Sequence, residues 1–137
     1  MAINSQILEE RLVAIVDDDI SVRQSARRLI RSLGYRAEAF GSAEEFLDSG
    51  QATKTACLIL DVRMPRMDGL ELQRRLAGNA IAIVFITAWA SEEEERRALQ
   101  TGAVAFLRKP VDKEALLRVL RTVFEKSHSD GGSPEDD

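Results

Sequence analysis

The chain is poor in the residues on which several common chemistries depend. Among 137 residues there is one cysteine, Cys57, and one histidine, His128. An internal disulfide is therefore excluded, and Cys57 has no second thiolate with which to hold a metal. Because Cys57 lies inside an apolar run, it reads as a buried strand residue rather than a reactive thiol. No apolar stretch approaches the roughly 18 residues of a membrane span, and the N-terminus lacks a charged-then-apolar signal pattern. Excess positive charge is also missing. The net charge of −4 and pI near 5.1 argue against a broad nucleic-acid surface, which needs clustered Lys and Arg. Neither GxxxxGK[ST] nor GxGxxG occurs, so the usual nucleotide-binding fingerprints are absent.

What is present fits one globular domain. Hydrophobic residues make up 45% and charged residues 31%, a balance typical of soluble proteins. The length suits one domain with one sizeable core. A bacterial cytoplasm is the expected setting.

Short apolar runs alternate with amphipathic stretches. The runs are 12–16, 35–40, 56–60, 81–86 and 103–107. Four are rich in Val, Ile, Phe and Leu and read as buried strands, while 35–40 is more mixed and suits an edge. Residues 21–33 set Val22, Ala26, Leu29, Ile30 and Leu33 on one helical face and Arg23, Arg27, Arg28 and Arg31 on the other, ending at Gly34. "SAEEF" from 42 and "SEEE" from 91 place Glu three residues after Ser, the pattern that opens a helix. Segments 69–77 and 112–124 complete five helices. Five strand–helix repeats imply a doubly wound α/β fold, a five-stranded parallel sheet with helices on both faces.

In such a sheet chemistry gathers at the carboxyl ends of the strands. Asp17, Asp18 and Asp19 follow the first run, Asp61 the third, Thr87 the fourth and Lys109 the fifth. Each has an ordinary reading: a helix cap for Asp18 or Asp19, a turn for Asp61, a loop hydrogen bond for Thr87, a solvated Lys109. Their joint placement is harder to explain that way, because clustered carboxylates repel unless a cation offsets them. Hard oxygen donors without His or Cys suit Mg²⁺, and Mn²⁺ is possible.

The motifs "VAIVDDDISVRQS", "LILDVRMPRMDGLEL", "VFITAWA" and "GAVAFLRKP", in this order and at these intervals, resemble the receiver domain of bacterial two-component response regulators, in the nitrogen-fixation regulator branch. The resemblance spans residues 11–126, leaving 1–10 as an N-terminal extension and 127–137 as a polar acidic tail or the start of a linker. It implies a flavodoxin-like fold and a signalling phosphoacceptor rather than a turnover enzyme. Asp61 would take a phosphoryl group from a sensor histidine kinase. Asp18, Asp61 and the Arg63 backbone carbonyl would ligate Mg²⁺, with Asp17 acting through water. Thr87 would bond a phosphoryl oxygen, Lys109 would offset charge, and Phe106 would be the switch aromatic that moves with Thr87. Asp19 matches no ligand position and is expected to serve the helix start.

The resemblance also implies a signalling face built from 91–100, 103–107 and 112–124, through which receivers dimerise or meet partners. The run "EEEERR" there equally fits a solvated helix with pairs Glu92–Arg96 and Glu93–Arg97. Arg63 and Trp89 occupy the variable positions that in this family tune phosphoryl hydrolysis. The Lys109–Pro110 bond is expected to be cis, and Val111 stands where the family often has Phe. From Asp61 to Thr87 is 87 − 61 = 26 residues, a slightly short interval with a tight "AGN" turn at 77–79. Regulators of this branch usually carry a DNA-binding output domain, so two expectations stand open, a stand-alone receiver or a receiver with such a domain beyond residue 137.

Two rival functions remain on the sequence. A haloacid-dehalogenase-type phosphohydrolase also uses a strand-end aspartate and Mg²⁺, but it needs a second Asp where this chain has Arg63. A degenerate receiver would be a phosphorylation-independent interaction module, which the intact set Asp17, Asp18, Asp61, Thr87 and Lys109 disfavours.

Overall fold

A computed structural model describes residues 11–132, with side chains through residue 125. The elements alternate as expected: β1 (Leu12–Val16), α1 (Ile20–Ser32), β2 (Arg36–Phe40), α2 (Ala43–Asp48), a 3₁₀ turn (Ala52–Lys54), β3 (Thr55–Asp61), α3 (Gly69–Arg75), β4 (Ala82–Thr87), α4 (Glu92–Gln100), β5 (Ala105–Arg108) and α5 (Lys113–Gly132). The sheet is parallel throughout, in the order β2-β1-β3-β4-β5. The mixed run at 35–40 forms an edge strand, as its composition indicates. Strand order reverses between β1 and β3, and this switch point opens a crevice at the carboxyl edge.

Alternation along each strand builds two cores. Ala14, Val16, Leu58, Leu60, Ile83 and Phe85 face α2, α3 and α4, where Phe46, Leu72, Leu76 and Ala98 cover them. Val13, Ile15, Cys57, Ile59, Val84 and Ile86 face the other way, under Ile30 of α1 and Leu116, Leu120 and Phe124 of α5. Burying each large side chain stabilises the fold by roughly 1.5–3 kcal/mol. Because both faces are covered, the strands read as near-continuous apolar runs instead of alternating ones.

The helix starts follow the capping signals. Asp19 accepts the N–H groups of Ser21 and Val22 and so serves the helix start. Ser91 and Glu94 form a complete capping box. At Ser42 the reciprocal half differs: Glu45 accepts the N–H of Gly41, one residue earlier than the motif implies. Gly34, at φ +97°, takes the left-handed conformation just past the end of α1.

Several boundaries shift. α3 stops at Arg75 rather than Ala77, where backbone turns through Ala77 and Asn79 lead into Gly78 at φ +96°. β5 begins at Ala105 rather than Ala103, since Ala103 still bonds back to Ala98 at the end of α4. α5 runs to Gly132. The N-terminal extension 1–10, the side chains from 126 on and residues 133–137 lie outside the described residues. No helix among the described residues is long and apolar enough to cross a membrane.

Candidate functional site

The strands deliver the candidate residues to one edge. Asp61 is the last residue of β3 and Thr87 the last of β4; Asp17 follows β1 and Lys109 follows β5. Asp17 and Thr87 are fully buried, and Asp61 is 4% exposed. Backbone bonds knit the edge together, from Asp17 N–H to the Phe40 carbonyl at 3.2 Å and from Lys109 N–H to the Thr87 carbonyl at 2.8 Å. The Lys109–Pro110 bond is cis.

Lys109 bridges two carboxylates. Its Nζ lies 3.0 Å from Asp61 Oδ2 and 2.9 Å from Asp17 Oδ2. The bond to Asp61 is an aligned hydrogen bond, whereas the buried Asp17 Oδ2 has an ion-pair contact but no hydrogen-bond partner among the described residues. The other oxygens meet backbone: Asp61 Oδ1 accepts the Arg63 N–H at 3.1 Å, and Asp17 Oδ1 accepts the Asp19 N–H at 2.9 Å. Burial lifts the Asp61 carboxyl above its usual range, the Lys109 hydrogen bond opposes that lift, and the nearby Asp17 charge adds to it. For Lys109, partial burial pulls the ammonium down, but Asp17 and Asp61 outweigh it and leave it above the ordinary value.

Carboxylate oxygens of Asp17, Asp18 and Asp61 lie within 4.8 Å of one another. This all-oxygen set, with an unbonded buried oxygen on Asp17, fits a hard divalent cation such as Mg²⁺. Asp18 is exposed, which leaves the site open to solvent.

Two candidates are engaged otherwise in this conformation. The Thr87 hydroxyl donates to the Trp89 carbonyl at 2.9 Å. Phe106 is half-buried in the core that covers α2–α4, its ring 5.9 Å from Phe85, its register partner on β4. Trp89 is 62% exposed, and the Arg63 guanidinium lies 5.1 Å from its ring.

The charge run on α4 pairs differently from the sequence expectation. Arg96 meets Glu93, three residues back, instead of Glu92. The anticipated Glu93–Arg97 pair gives way to this one. Glu94 turns to Arg63 at 2.5 Å and Glu95 to Arg108 at 3.1 Å, so two of the four glutamates tie the helix to other elements. Three further contacts escaped the sequence reading: Arg63 with Glu94, Arg23 Nη1 donating to the Asp17 carbonyl at 2.9 Å, and Met67 N–H donating to Glu44 at 3.2 Å. Helical period alone places Arg23 on the solvent face. The first and third join residues 31 and 23 apart, so no local spacing marks them, although the shared sheet edge brings their loops together.

Comparison with known proteins agrees with this geometry. The model of the response regulator receiver domain matches residues 13–121. The chain is 41% identical over 119 residues to the response regulator protein TmoT of Ectopseudomonas mendocina, covering 85% of this chain and 54% of that protein. It is 43% identical over 117 residues to Nodulation protein W of Bradyrhizobium diazoefficiens, covering 84% and 52%. The chain thus spans about half the length of these curated relatives. A crystal structure of a response regulator receiver protein from Burkholderia phymatum superposes with a TM-score of 0.75 at 44% identity, covering 84% of this chain and 95% of that one. The narrower resemblance to the nitrogen-fixation regulator branch rests on the motifs alone. By fold, by the match over most of its length and by its relatives, the chain belongs to the response regulator receiver domain family.

Proposed function

We propose that this receiver accepts a phosphoryl group on Asp61 from a sensor histidine kinase in a Mg²⁺-dependent reaction. One observation carries the reading: a buried strand-end carboxylate held by a lysine, with two more carboxylates close enough to share a cation. In the transfer, the P–N bond to the kinase imidazole breaks, its electron pair returns to the ring, and a P–O bond forms to Asp61. The chain is a signalling domain rather than a turnover enzyme.

The residues divide the work. Lys109 opposes the burial that would protonate Asp61, and it offsets negative charge on the transferring oxygens. Asp18, Asp61 and the Arg63 carbonyl would hold Mg²⁺, with Asp17 acting through water. Mn²⁺ could take the same oxygens. The cation supplies positive charge to the phosphoryl oxygens and no redox chemistry. Thr87 would exchange its bond to the Trp89 carbonyl for one to a phosphoryl oxygen, and Phe106 would move inward with it. That change would alter the face formed by α4, β5 and α5 and so control dimerisation or partner binding. An output domain beyond residue 137 and a cytoplasmic setting complete the proposal; this chain itself would bind neither DNA nor membrane.

Amide NMR spectra with Mg²⁺ and a fluoroberyllate phosphoryl mimic test the switch. The reading expects shifts at Thr87, Phe106 and residues 91–124, and none in Asp61→Asn. Unchanged spectra across that face would sink it and favour the constitutive interaction module.

A further inference from the structure

Glu44 and Glu45 sit side by side at the start of α2, and only Glu45 is used by the cap, through Gly41 N–H at 2.9 Å. Glu44 instead reaches the loop that follows Asp61. Its Oε2 accepts the Met67 N–H at 3.2 Å, and its Oε1 faces Arg66 at 3.9 Å without a hydrogen bond of its own. That loop is closed at its far end by Gly69 N–H bonding the Val62 carbonyl at 2.9 Å. At its tip Arg66 sits at φ +65°, a left-handed conformation that few residues with a Cβ adopt. Glu44 touches this residue and bonds the next amide.

We propose that Glu44 is a positioning residue for the phosphoacceptor loop: it holds 62–68 in the shape that presents the Arg63 carbonyl beside Asp61. This rests on the proposed Mg²⁺ site. Released from Glu44, Arg66 would relax from its left-handed conformation, and the loop would lose the fixed path that folds Arg63 back against the Asp61 carboxylate. The Arg63 N–H bond to Asp61 Oδ1 at 3.1 Å would loosen with it.

Calorimetric Mg²⁺ titration and Met67 amide exchange, measured on the full chain and on variants, test this. Glu44→Ala should weaken Mg²⁺ roughly tenfold, as loss of an outer-shell support does, and should speed Met67 exchange. Glu44→Gln keeps a carbonyl acceptor and should stay within about twofold of the unsubstituted chain. Adding Arg66→Gly to Glu44→Ala should recover part of the loss, because glycine takes the left-handed conformation without strain. Mg²⁺ affinity in folded Glu44→Ala equal to that of the unsubstituted chain would overturn the positioning role alone, as would Glu44→Gln behaving like Glu44→Ala. Absence of Mg²⁺ binding by the unsubstituted chain would overturn the site reading itself, and this inference with it.

Discussion

Arg63 and Glu94 join the loop after β3 to the first turn of α4: Arg63 Nη2 stands 2.5 Å from Glu94 Oε1. The same carboxylate oxygen accepts the Ser91 N–H of the capping box at 3.1 Å, and the same guanidinium lies against the Trp89 ring. The loop after Asp61, the loop after Thr87 and the first turn of α4 therefore meet at one ion pair.

This pair should report more than it stabilises. Arg63 is half-exposed, so a double-mutant cycle with Arg63→Ala and Glu94→Gln should give a coupling below about 1 kcal/mol that shrinks with added salt. Trp89 is the sole tryptophan. Its emission should change more in Arg63→Ala, which loses the stacked cation, than in Glu94→Gln. Identical spectra for all variants would contradict the contact.

Gly69 should tolerate no side chain. A Cβ built there would lie 2.2 Å from the Asp61 carbonyl oxygen and 3.1 Å from Phe85 Cε1. Because the obstacle is backbone, Gly69→Ala should cost about 1–3 kcal/mol in urea unfolding. A neutral substitution would show that the loop packs less tightly under Asp61.

Removing the lysine should expose the cost of the carboxylates it bridges. In Mg²⁺-free buffer Lys109→Met should lose about 1–3 kcal/mol near neutral pH, having left buried charge unpaired. Burial already lifts Asp61, and losing Lys109 lifts it further. The carboxyl then takes a proton more readily, so the deficit should narrow as pH falls. A deficit that widens on acidification would contradict this sign.

Cys57 should be chemically silent while folded. Complete burial pushes its thiol from 9.0 to about 12. A thiol reagent at pH 8 should therefore react far faster with urea-unfolded chain than with native chain. Between pH 9 and 12 the unfolded thiol ionises while the folded one does not, so this contribution to stability is complete below 9 and lost as pH rises towards 12. Cys57→Ala should flatten that alkaline decline; an unchanged slope would place the thiol in a more polar setting.

Much of this was legible in the sequence because the signals are local. Apolar runs marked all five strands, Asp19 and Ser91 announced their helices, and strand ends carried Asp17, Asp61, Thr87 and Lys109 to one edge. What escaped was set by tertiary partners. Helical period points Arg23 to solvent, yet its guanidinium reaches back to the Asp17 carbonyl. The spacing of Glu93 and Arg97 fitted an intrahelical pair, yet Glu93 meets Arg96 one position nearer. Glu44 lies inside "SAEEF" with no signal of its own, since nothing within its helix shows that it faces Met67 across 23 residues.

Intact-mass spectrometry after incubation with Mg²⁺ and acetyl phosphate tests the central claim most directly, run beside Asp61→Asn and a chelator-treated sample. The account predicts a gain of one phosphoryl group that requires both Asp61 and the metal. No gain in folded, Mg²⁺-binding protein, or an equal gain in Asp61→Asn, would contradict it.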